Sequence, residues 1–135
     1  MSSTLGPSPG ANKYPQHSIK IHREKQTAVA LYQGQILAKS VNAILLEEKG
    51  CQPVLYFPMK DIQTELLKQS ESKSICPFKG EARYYSLAAQ LKDEGLPAGD
   101  VAWLYPEVYD EVAQIAGHLA FYPEKIEILM ENEND

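Results

Sequence analysis

Residues 74–87 read SICPFKGEARYYSL, and the path of the backbone through this stretch sets the fold class of the chain. Pro77 keeps Cys76 extended, because a proline ring crowds the helical conformation of the residue before it. Gly80 is the kind of residue at which a strand bends or bulges. The run EARYYSL that follows has the aromatic content of a strand. The stretch is therefore read as a strand pair or a bent strand, with Lys79-Gly80 at the bend.

Towards the N-terminus the same texture repeats. VLYFP (54–58) reads as a buried strand ended by Pro58, and MKDIQTELL (59–67) as a helical turn after that proline. KQSESKS (68–74) is polar and turn-like. VNAILLEE (41–48) is too short for periodicity to choose between strand and helix. In TAVALY (27–32), Thr27, Val29 and Leu31 fall on one face and Ala28, Ala30 and Tyr32 on the other. Gln33-Gly34 offers the positive φ of a tight hairpin, with QILA (35–38) returning. Residues 1–16, rich in Ser, Pro and Gly, read as a flexible N-terminal tail.

Towards the C-terminus, KDEGLPAGD (92–100) reads as an exposed loop and VAWLYP (101–106) as a strand. PEVYDEVAQIAGH (106–118) carries helix signals: a proline and acids at its start, Gly117 after its end, and a stripe of Val108, Val112, Ile115 and Ala116. LAFYPEKIEIL (119–129) reads as a hairpin around Pro123-Glu124, and residues 131–135 as an acidic C-terminal tail. Roughly seven to nine short strands and one short α-helix imply a mainly β domain over 17–130, with antiparallel sheets forming a sandwich or a barrel-like body.

Composition narrows the function classes. The 135 residues carry a net charge of -5 with Lys and Arg scattered, which argues against a nucleic-acid binder with a basic stripe. No apolar run reaches the length of a membrane-spanning helix. Two cysteines without a C-x-x-C pair give neither a disulfide framework nor a zinc site. His17, His22 and His118 have no metal-ligand spacing, so neither metal nor cofactor is expected. No apolar leader opens the chain, and a soluble, cytoplasmic protein is the expectation.

The candidate site residues are those with chemistry to offer. Cys76 is read as a packed thiol, the functional reading being a nucleophile activated by a nearby cation. Lys79 either reaches solvent or stands as a cation at a cavity mouth facing an anion. Tyr56, Tyr84, Tyr85, Trp103, Tyr105 and Tyr122 pack the core, or several of them converge on one concavity and present their polar tips there.

Three segments together, VLYFPMKDI, CPFKGEARYYSL and AWLYPEVYDEVAQIAGHLAFYPEKIEI, resemble the DUF427 family over residues 19–129. The most specific string is Cys76, Pro77, Phe78, Lys79, Gly80, Ala82 and Tyr84. Where relatives often carry arginine after Y-F-P, this chain has Met59 followed by Lys60. The resemblance implies a Mss4-like, β-tent fold, two sheets meeting around a cleft, without the zinc-binding cysteine pairs of other proteins of that shape. It also implies a nucleotidyl-transferase label, to which fold alone adds no mechanism. The expectation is a small-ligand-binding β domain. Its aromatic cleft would hold Lys79, Tyr84, Trp103, Tyr56, Tyr105 and Cys76, and its ligand would be an anionic or aromatic small molecule. The alternatives are an enzyme of nucleotidyl-transferase type acting on a nucleotide or phosphate ester, and a protein-interaction module.

Overall fold

Among the described residues, alternating apolar residues and tight turns build ten strands. They are β1 (Ile19–Arg23), β2 (Thr27–Tyr32), β3 (Gln35–Ser40), β4 (Ile44–Glu48), β5 (Val54–Pro58), β6 (Leu67–Cys76), β7 (Gly80–Leu87), β8 (Ala102–Leu104), β9 (His118–Phe121) and β10 (Glu127–Glu131). The computed structural model describes residues 4–13, 18–88 and 99–131. The loop expected over 92–100 lies outside these residues up to position 98.

The strands form two antiparallel sheets. The larger runs β1-β4-β5-β9-β8-β7-β6 and the smaller β10-β2-β3. The fold is therefore mainly β. Gln33 and Gly34, at φ 47° and 82°, make the tight hairpin between β2 and β3. No helix among the described residues is long and apolar enough to cross a membrane.

The large sheet buries both its faces. On one, Phe57, Leu104, Leu119 and Phe121 pack against Ala28, Ala30 and Tyr32 of the small sheet, joined by Leu37 and Ile126. Phe57 and Phe121 meet edge to face with centroids 5.6 Å apart. On the other face Leu46, Tyr56, Ala82 and Ala120 lie under Val108, Val112 and Ile115. The stripe read from the sequence is thus buried at all three of those positions. Its backbone is not a continuous α-helix, however. Asp110–Ile115 is a 3-10 segment, interrupted at Val112 (φ -126°, ψ 31°). A short α-helix, α1, instead spans Pro9–Lys13.

Three local readings change and one open alternative is decided. KQSESKS lies within β6, the edge strand of the large sheet, whose register slips between Gln69 and Lys73. Polar residues are tolerated there because an edge faces solvent and is protected by charge. LAFYPEKIEIL is not a hairpin: β9 pairs with β5 and β8, whereas β10 pairs with β2 in the other sheet. VNAILLEE resolves as a strand. Residues 4–13, read as part of a tail, run against the 3-10 segment and the β6–β7 turn.

Candidate functional site

The C-P-F-K-G string closes the β6–β7 connection. Cys76 pairs opposite Gly80, and the Lys79 amide donates back to the Cys76 carbonyl at 3.3 Å. Gly80 has φ 142°, and a Cβ there would sit 2.7 Å from the Glu107 carbonyl oxygen. A side chain is excluded twice over, by conformation and by space. The segment after Pro106 therefore crosses directly over Lys79-Gly80, and the Tyr109 amide bonds the Lys79 carbonyl at 3.0 Å.

This crossing turns Lys79 inward. Only 8% of the residue is exposed. Its ammonium meets the Glu48 carboxylate at 2.5 Å, both side chains being 11% exposed. Strand register explains the partner. Ile44, Leu46 and Glu48 share one face of β4, and Ile44 lies opposite Tyr56 of β5. Glu47 points the other way and meets His22 at 3.4 Å on the surface.

The aromatic residues follow by the same parity. Trp103 lies opposite Tyr84 on β7 and Ala120 on β9, so these residues point to the Tyr56 face. Tyr56 and Trp103 stack edge to face at 6.4 Å, and Trp103 meets the Tyr122 ring at 4.7 Å. The Tyr84 hydroxyl shares a 2.6 Å hydrogen bond with that of Ser74. Cys76 and Tyr105 complete the cluster.

Burial governs the ionisation of the phenols. It drives Tyr56 far above the ordinary tyrosine value of about 10, and a hydrogen bond with Trp103 offsets part of that. Tyr105 is raised further, by burial first and then by the fields of Tyr56, Cys76, Tyr84 and Glu48. Tyr122 is pushed up to about 12 by burial and by its field and hydrogen bond with Tyr84. These phenols are neutral hydrogen-bond donors at any physiological pH.

A separate concavity adjoins the cluster. β5 and β9 pair only at Phe57–Leu119 and Pro58–His118. Beyond that contact the strands part, leaving a cavity of about 400 Å³. Leu45, Val54, Leu55, Phe121 and Ile128 line it with Trp103, and Gln52 and Glu124 supply polar groups.

All six residues expected in the cleft are thus brought to one side of the large sheet, and Trp103 alone among them also lines the cavity. Glu48 was missed. The signal for Glu48 was the alternation in ILLEE, which a strand reading places beside Leu46. Among the described residues, no three His, Cys, Asp or Glu side chains gather as metal ligands. Cys51 is exposed, Cys76 is half-buried, and both are free thiols.

The motif around Lys79-Gly80 and the crossing segment after Trp103 have a counterpart in a family. Residues 20–132 match the family model described as a domain of unknown function, DUF427. The chain belongs to the DUF427 family. No curated protein matches it.

Proposed function

We propose that this DUF427 chain is a small-ligand-binding β domain of Mss4-like, tent-shaped form. Its cleft is the cavity beside Trp103, where the two parts of the large sheet separate. The observation that carries this reading is the cavity itself: about 400 Å³, walled by an indole and aliphatic side chains, with Gln52 and Glu124 among its lining residues. Such a lining suits a planar or aromatic molecule with little negative charge. An anionic ligand is less well served. Lys79 is matched by Glu48 at 2.5 Å on the cluster side of the sheet, and a carboxylate, Glu124, lines the cavity. The same pairing weighs against the nucleotidyl-transferase alternative, which would need Lys79 to meet a phosphate. Two free thiols suit a reducing, cytoplasmic setting.

The chain has a single tryptophan, so emission excited beyond the tyrosine absorption band reports on Trp103, which lines the cavity. Adenosine and adenosine 5′-monophosphate serve as a neutral and a charged planar probe. A saturable change in Trp103 emission is expected with adenosine, weaker with the monophosphate, and lost in the cavity-filling variant Val54→Phe. Preferential binding of the monophosphate, or a response unaltered in Val54→Phe, would overturn the reading.

A further inference from the structure

The N-terminal segment makes contacts that the reading of the cavity does not use. The Leu5 amide donates to the Val108 carbonyl at 2.8 Å, and the Asp110 amide donates to the Gly6 carbonyl at 2.8 Å. These two bonds form a short β-like ladder. The Thr4 hydroxyl reaches the Asp110 carboxylate. Further along, the Ser8 amide donates to Glu111 Oε1 at 3.0 Å, and the Gly10 amide to the Pro77 carbonyl at 2.8 Å. Ser8 is 1% exposed. A Cβ at Gly10 would fall 2.5 Å from the Phe78 ring, so a larger residue there requires that ring to move.

One segment, non-helical over residues 4–8 and turning into α1 at Pro9, therefore ties together the 77–79 turn and the 107–111 segment. These are the two pieces of backbone that cross at Gly80 and bury Lys79. The segment lies outside the 20–132 stretch matched to the family. Its grip comes mainly from backbone hydrogen bonds, and its one large apolar side chain, Leu5, is 47% exposed. Backbone pairing in a groove with little apolar burial is the chemistry of a peptide added to a strand-like edge. With little large apolar surface to offset its ordering cost, the segment is expected to open before the sheets do.

We propose that residues 4–10 are a dissociable intramolecular ligand of a groove built by the 77–79 turn and the 107–111 segment, and that their release opens the Lys79–Glu48 side of the aromatic cluster. The groove accepts a segment that enters a helical turn at Pro9, with small residues at the positions of Ser8 and Gly10. A glutamate carboxylate, Glu111, receives one amide, and the Val108 and Pro77 carbonyls receive two others. The occupant is this chain's own N-terminus. The proposal is independent of the cavity beside Trp103, since no residue of the groove lines it.

The test uses the full chain carrying Gly10→Val, with Glu111→Gln as a milder second variant. Amide exchange of Asp110 and Tyr109 reads docking and loop closure. Alkylation of Cys76, with exposed Cys51 as the internal reference, reads access. Gly10→Val is expected to raise both amide exchange rates and the Cys76 rate by about tenfold or more, with Glu111→Gln intermediate and the β8 and β9 amides unchanged. A synthetic peptide of residues 4–13, added to the Gly10→Val protein, is expected to restore protection. Unchanged Tyr109 and Cys76 rates would overturn the proposal. So would equal loss of protection in β8 and β9, which would make the segment an integral part of the fold. Failure of the peptide to restore protection, or restoration that follows protein concentration instead of peptide, would overturn the assignment of a dissociable intramolecular ligand.

Discussion

The two faces of the large sheet solve the same packing problem with different chemistry. Against the small sheet the contact is apolar, with Phe57, Leu119 and Ala102 fully buried among other hydrocarbon side chains. Under the 3-10 segment the sheet presents phenols, an indole, a thiol and an ion pair, interleaved with Leu46, Ala82 and Ala120. An apolar face needs only shape and area. A face with polar tips must satisfy each of them, because an unpaired buried polar group costs more than a lost contact. Here the Lys79–Glu48 pair, the Ser74–Tyr84 hydrogen bond and the Tyr56–Trp103 contact meet that need. Such networks fix one geometry at little net gain in stability. The polar face thus fixes one packing geometry, and the apolar face contributes more of the stability.

The contrast breaks most sharply at Phe57. Phe57→Ala removes a fully buried ring and its stacking partner's contact. Chemical denaturation is expected to show a loss of about 3–5 kcal/mol. A loss under about 1 kcal/mol would deny the apolar face its role.

On the polar face Lys79→Met leaves the Glu48 carboxylate buried without its cation. The expected cost is about 3 kcal/mol. The double variant Lys79→Met/Glu48→Met is expected to recover most of it, because replacing both charges with apolar groups removes the desolvation penalty along with the attraction. Equal destabilisation of single and double variants would mean that the pair does not act as a unit.

Titration separates the faces in another way. Tyr56 and Tyr105 have pKa values raised in the folded state. The unfolded chain therefore loses their protons first, near the ordinary value of about 10. Their contribution to stability is full below that pH and falls as pH rises towards the folded values. Denaturation midpoints are expected to decline above about pH 10, with tyrosinate absorbance of these two residues appearing only as the fold is lost. Tyr56→Phe/Tyr105→Phe should flatten the decline, and an equally steep one would assign it elsewhere.

The smallest effect expected is at Cys76, which is half-buried against the cluster that holds Tyr56 and Tyr105. Cys76→Ala is expected to lower stability by about 1 kcal/mol through lost packing and to leave ligand binding intact. Loss of binding with unchanged stability would give the thiol a role beyond packing.

Much of this was legible in the sequence, for local reasons. The C-P-F-K-G string required a turn at Gly80, and the Val108, Val112 and Ile115 stripe required a buried surface. Features set by distant chain were not legible. Pro106 and the acids after it signal a helix, yet the close approach of Glu107 to Gly80 draws this segment into 3-10 turns. Pro123 marks a turn correctly, but local pattern cannot tell that β10 leaves for the other sheet. Glu48 was hidden because a short apolar run ending in two glutamates fits strand and helix alike. With the strand assigned, register alone places it on the Leu46 face.

The Lys79–Glu48 charge is matched within the protein, and on the proposed function ligand selection falls to the cavity beside Trp103. The most direct test is the adenosine affinity of the Lys79→Met/Glu48→Met protein, followed by Trp103 fluorescence. The dissociation constant is expected to stay within about threefold of the unsubstituted chain, less than 1 kcal/mol. A loss of about tenfold or more, with the fold intact, would contradict the account and return Lys79 to the ligand site.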